Sequence, residues 1–258
     1  MILQLGAEAP LLLRAAATTV LVLHITGGTL GIASGAAALI ARKGGTVHRI
    51  AGDVFVASMM VMAVIGASVS PFLPQRANVV PGVLTFYLVA TGWLTLRPRG
   101  GLVRAGEIAA LLVAVAAAIT GFAFGRMAGA APGGLLDGSE PSDFFVFAGF
   151  TAFAAALDAR VLLVGVSGAH RLARHLWRMC TALLIGCISL FLGQPKVFPP
   201  ALRGSAILFL PELLVVAALV FWLARTWLRR PASRSSSSQM GRGTAGTAVE
   251  GSRAKGAG

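Results

Sequence analysis

The chain has 258 residues, of which 56% are hydrophobic and 12% charged, and its mean hydropathy is +0.81. Soluble domains carry about 25% charged residues, so this composition argues against any soluble fold. The net charge of +13 does not indicate nucleic acid, because the Lys and Arg residues sit at the ends of apolar runs and not on one folded face.

In chain order, apolar stretches fall at 15–41, 50–70, 79–96, 106–125, 144–166, 176–193 and 204–225. Roughly 20 mostly apolar residues carry a helix through about 30 Å of hydrocarbon. The pattern predicts an all-α integral membrane protein with seven transmembrane helices over residues 1–228. Met1 to Pro10 have no basic region ahead of the first apolar run, and that run outlasts a signal-peptide core, so the first span is expected to be retained. Residues 229–258 are rich in Ser, Gly, Ala and Arg and too poor in large apolar side chains to offset the entropy of ordering. They are expected to form a disordered basic cytoplasmic tail.

Cation-rich connections stay on the cytoplasmic side. Arg42, Lys43 and Arg49 flank the first connection, Arg97, Arg99 and Arg104 the third, and Arg160, Arg171, Arg174 and Arg178 the fifth, with seven more from Arg225 onward. The other side keeps Arg14, Arg76, Arg126, Lys196 and Arg203, together with Asp137, Glu140 and Asp143. This distribution predicts a bacterial plasma-membrane protein with its N-terminus outside and its C-terminus in the cytoplasm. The lipid bilayer is the expected partner, and anionic inner-leaflet lipid should gather at Arg225 to Arg234, at about 1 kcal/mol per charge.

His48-Arg49-Ile50-Ala51 recurs as His170-Arg171-Leu172-Ala173 at an offset of 122. Spans one to three and five to seven would then be two parallel three-helix repeats joined by the fourth helix, an arrangement membrane proteins use. Common interfacial chemistry at a helix start explains the echo equally well.

A wider set of motifs comprises Arg42-Lys43-Gly44-Gly45 with His48-Arg49 and Gly52, then Thr85 to Thr91, Arg171 to Met179, and Phe191-Leu192-Gly193-Gln194. With these motifs the chain resembles an uncharacterised family of bacterial multi-span membrane proteins, a domain of unknown function, over nearly all of residues 20–225. The resemblance implies a bacterial membrane location and assigns no substrate, cofactor or catalytic residue.

Ionisable groups at membrane depth are costly and mark function or structural pairing. His24 in the first span and Glu212 in the seventh fall at similar depth in the outer half, where they can pair. Glu212 follows Pro211, which removes a backbone donor and loosens the helix. A carboxyl group there suits proton or cation handling, or simply rests neutral against a carbonyl. His24 shares a helix face with Gly27, Gly28, Gly31 and Gly35. Such a groove admits a neighbouring helix or, as the sharper alternative, a flat cofactor such as haem.

A second polar ring lies at the inner rim, with His48, Asp53, Glu107, Asp158, Arg160, His170, His175 and Arg178. Asp53 is expected to face His175 or to pair with Arg178, and Asp158 to pair with Arg160 and Arg174. A b-type haem needs two imidazoles on different helices at one depth. His48 with His170 or His175 satisfies this, whereas His170 and His175 lie five residues apart, about 140° around one helix, and cannot both ligate one iron. Cys180 and Cys187 sit within one span as packing residues, and no metal-binding spacing of the zinc type is present.

No phosphate-cradling loop, HExxH or nucleophile elbow occurs, which argues against a soluble-type enzyme and leaves no catalytic residue to name. Three readings stand. The preferred one is a small-solute or proton-linked carrier or sensor built on His24 and Glu212. The alternatives are a haem-binding membrane redox protein using the inner-rim histidines, and a non-catalytic membrane scaffold.

Overall fold

The computed structural model describes residues 10–98 and 100–228. Within them seven helices are long and apolar enough to cross a membrane. They are α1 Leu11–Ile40, α2 Thr46–Val69, α3 Val79–Leu94, α4 Gly101–Ala130, α5 Pro141–Val164, α6 Gly168–Cys187 and α7 Leu210–Leu228. The tail expected at 229–258 lies outside the described residues.

Several helices outrun the apolar windows, for a physical reason. Helix α6 starts at Gly168, well before the predicted 176, and its first turns carry Arg171, Arg174 and His175, all of which find partners inside the bundle. Helix α4 likewise starts at Gly101, five residues before its window, and runs on to Ala130, five residues past it. Hydropathy alone trims such turns, because it scores a charge without regard to its partner. At the far end of α6 the chain relaxes into a π-turn, Ile188–Leu192, closed by Gly193 N–H on the Ile188 carbonyl at 2.9 Å. Pro211 falls in the first turn of α7, where a missing N–H costs little.

Helices α3 and α6 occupy the centre: α3 packs on α2, α4 and α6, while α1 pairs with α2 and α4 with α5. The span containing α3 is 44% buried against 17% for those of α1 and α7. Tyr87, Leu88, Met59 and Leu183 form part of the core, whereas Leu12, Ile25, Ile119, Leu214 and Val220 face outward, as a lipid environment requires.

The glycine face of α1 is where α2 docks. A methyl group on Gly31 would come within 2.6 Å of Met59 Sδ, and one on Gly35 within 2.8 Å of the Phe55 ring. The groove beside His24 is therefore filled by side chains of α2, which corrects the idea that it admits a flat cofactor. Gly121 and Gly125 of α4 receive α5 in the same way, at 2.8 Å from Ala148 and 2.5 Å from Phe145.

The His-Arg echo has a counterpart at one point: Thr46 and Gly168, the first residues of α2 and α6, stand at the same 122-residue offset. The neighbours differ, since α1 packs chiefly on α2 whereas α5 packs chiefly on α4.

At the end of the bundle opposite the arginine-rich connections, Arg76 clasps Asp137. Its backbone N–H and Nε donate to Oδ2 at 3.0 and 2.7 Å, and Nη2 donates to Oδ1 at 2.9 Å. Asp137 (φ 53°) and Gly138 (φ 79°) make a two-residue turn between Leu136 and Ser139, a conformation that Asp and Gly tolerate. The hydrogen bonds from Arg76 hold the Asp137 carboxyl below the usual carboxylate range. A depressed value stabilises the fold above the unfolded value of about 3.9 and loses that effect as pH falls through the folded one. Asp137→Asn should therefore melt below the unmodified protein at pH 6, with the gap closing as pH falls below the ordinary carboxylate range. Equal melting at pH 6 would refute the clasp.

Candidate functional site

Two polar systems lie side by side at the arginine-rich end of the bundle. The first is a sealed charge network. Asp158 of α5, 2% exposed, accepts from Arg174 Nη2 at 2.9 Å and from Arg178 Nη2 at 2.5 Å, both through Oδ1. Its Oδ2 accepts the Tyr87 hydroxyl at 2.5 Å. Arg174 also reaches Glu107 Oε1 at 2.8 Å and Thr95 Oγ1 at 2.7 Å, while Arg178, fully buried, donates to Thr91 Oγ1. Two guanidiniums thus meet two carboxylates across α3, α4, α5 and α6, which is the neutralisation that burial demands. Arg171 completes the scheme by donating to the Thr95 and Arg97 carbonyls just beyond the end of α3.

The expected pairing of Asp158 with Arg174 is present. Arg160 takes no part and is exposed. The expected Asp53–Arg178 pair is corrected: Arg178 turns to Asp158, and Asp53 lies exposed on the other side of α6. Tyr87 and Thr91 entered the sequence analysis only as part of the Thr85 to Thr91 motif, without a role, and Thr95 did not enter it. Their spacing of four along α3 was a usable signal, since it stacks three hydroxyls on one helix face.

The second system is a cavity of about 1170 Å³ between the ends of α1, α2, α3, α6 and α7. It exceeds the roughly 300–1,000 Å³ of ordinary small-molecule sites. His48, His170 and His175 all line it, with Asp53, Lys43, Arg49 and Arg225, and apolar side chains such as Phe55, Trp93, Met179, Leu183 and Trp222 supply the walls. Asp53 and His175, expected to face one another, do share this cavity, without a hydrogen bond between them.

Two of the three imidazoles are pinned alike. His48 Nδ1 lies 2.9 Å from the Ala38 carbonyl, and His175 Nδ1 lies 3.0 Å from that of Gly92. A carbonyl only accepts, so Nδ1 carries the proton in both rings and Nε2 keeps its lone pair. Neither Nε2 has a hydrogen-bond partner among the described residues. Each carbonyl belongs to the second residue before its helix ends, α1 at Ile40 and α3 at Leu94, where backbone acceptors are left over. Both rings therefore sit at the arginine-rich end of the bundle and line the same cavity. His170 is different: its ring meets Trp227 edge-on at 4.7 Å and has no such carbonyl.

Trp222 organises the rim. Lys43 Nζ lies 4.6 Å over its ring and donates to the Ala38 and Leu39 carbonyls at 3.0 and 2.7 Å, and the Arg225 guanidinium lies 5.8 Å from the same ring.

The outer-half pair is corrected. His24 Nδ1 bonds the Met62 carbonyl of α2 at 3.1 Å, and both carboxyl oxygens of Glu212 are buried without a partner. The two side chains lie on different helices without meeting. Nor does His24 have a second imidazole at its own depth.

No protein-family model, no curated protein and no solved structure matches the chain. The functional argument therefore rests on the site itself.

Proposed function

We propose that the chain is a haem-binding membrane redox protein of the b type, in which His48 of α2 and His175 of α6 are the axial ligands of one haem in the 1170 Å³ cavity. One observation carries the reading: two imidazoles on different helices, at the same end of the bundle, each hold Nδ1–H on a backbone carbonyl, leave Nε2 without a partner among the described residues, and line one cavity. Ligating histidines almost always donate their other ring N–H in this way, which fixes ring orientation and raises basicity. Phe55, Trp93, Met179, Leu183 and Trp222 offer the apolar surround a porphyrin face needs.

Haem with two imidazole ligands keeps no open coordination position, so the chemistry it supplies is one-electron transfer. The role of the chain is to set axial ligands, exclude water and supply charge. A duplicated three-helix origin would account for the His-Arg start of both α2 and α6. The arginine-rich end, and with it the cavity mouth, is assigned to the cytoplasm of a bacterial plasma membrane, with anionic lipid around it.

Producing the full chain with haem supplied and purifying it in detergent tests the reading. About one haem per chain with a low-spin spectrum is expected. Colourless protein after haem supply would overturn it.

A second reading, the small-solute or proton-linked carrier or sensor, keeps one supporting observation in the orphan carboxyl of Glu212. It now stands without His24. Glu212→Gln should abolish any proton-linked uptake in vesicles if that reading holds, and should leave haem content unchanged on the reading preferred here.

A further inference from the structure

The cavity is chemically asymmetric along the membrane normal. Its deep end is apolar, with Gly35 well inside α1, Phe55 well inside α2 and Leu183 well inside α6. Its mouth is cationic, with Lys43, Arg49 and Arg225 against the single carboxylate of Asp53. Lys43 is committed to two carbonyls and the Trp222 face. The guanidiniums of Arg49 and Arg225 have no hydrogen bond or ion pair among the described residues, whereas Arg171, Arg174 and Arg178 of the neighbouring network each donate to two or more acceptors. The two free guanidiniums come from different walls, α2 and α7.

Resting on the haem reading, we infer that Arg49 and Arg225 each receive one carboxylate of the ligand, so that the cavity selects a planar dianion inserted edge-on with its acid edge at the mouth. Arg presents a fork matched to a carboxylate, and charge-assisted pairs are about twice as strong as neutral ones. Arg49 directly follows the ligating His48, so one turn of α2 sets both the iron and one acid group. Lys43 keeps its place as the buttress of Trp222.

The test compares iron protoporphyrin with its dimethyl ester, titrated into the purified full chain in nanodiscs of phosphatidylcholine, where no anionic lipid competes. The free diacid should bind at least roughly tenfold more tightly than the diester. Arg49→Gln with Arg225→Gln should erase that preference, and Arg49→Lys with Arg225→Lys should restore part of it. Equal affinity for diacid and diester, both giving low-spin spectra, would overturn the inference while leaving the haem reading intact. Low-spin binding of neither compound would overturn the haem reading itself, and this inference with it.

Discussion

Asp158→Ala should leave almost no folded protein. Asp158 is the shared counter-ion of Arg174 and Arg178, and the Tyr87 hydroxyl bonds it as well. Its loss strands one fully buried guanidinium and leaves Arg174 with Glu107 alone. Breaking a buried pair from one side costs about 3–5 kcal/mol, because the remaining charge is neither hydrated nor matched. That is a large part of the roughly 5–15 kcal/mol by which folded chains are stable. Asp53→Ala serves as the control, since Asp53 is exposed and without a partner, and such changes stay within about 0.5 kcal/mol. Size-exclusion profiles and melting in detergent would read both. Wild-type melting of Asp158→Ala would mean that the network does not hold α3, α4, α5 and α6 together.

His175→Ala and His48→Ala should each remove the low-spin haem spectrum, by loss of the haem or by conversion to a high-spin form. Each variant takes away one of two nitrogen ligands, and neither His170 nor His24 can substitute. His170 lacks the carbonyl that orients the other two rings and packs on Trp227, and His24 sits against Met62 near the middle of α1, outside the cavity. His170→Ala should keep the spectrum. The folded state should survive all three changes, because the charge network lies on the opposite side of α6 from the cavity. A low-spin spectrum that persists in His48→Ala but vanishes in His170→Ala would reassign the ligand pair.

The seven spans were legible because hydrocarbon imposes length and composition directly on sequence. That a helix docks on Gly27, Gly31 and Gly35 was equally readable, since small residues at helical spacing permit backbone approach, but nothing in the spacing told which helix it would be. Pairing among the inner-rim residues was only partly readable. Depth places Asp53, Asp158, Arg174 and Arg178 together, but rotation about each helix decides who meets whom, and a helix start misplaced by eight residues hides that rotation. Asp53 and Asp158 fall at similar depth yet on different sides of α6. Glu212 and His24 failed for the same reason: equal depth on α1 and α7 does not bring two side chains together when α2 and α6 take up their facing surfaces. The carbonyl anchors of His48 and His175 carried no sequence signal at all, because any residue supplies a backbone oxygen.

The same geometry explains why one end of the bundle carries two polar systems of opposite character. In the network every donor but Arg178 Nε is satisfied and the helices are locked, whereas the cavity leaves imidazole nitrogens and guanidiniums unspent. Groups of the first kind hold structure, and groups of the second kind are those the proposed haem would use.

An electron paramagnetic resonance spectrum of the ferric protein, recorded after haem supply, reaches the central claim most directly. The account predicts a single low-spin species with two imidazole nitrogens as axial ligands, abolished by His48→Ala and by His175→Ala. A high-spin signal from the unmodified chain, or no haem signal at all, would contradict it.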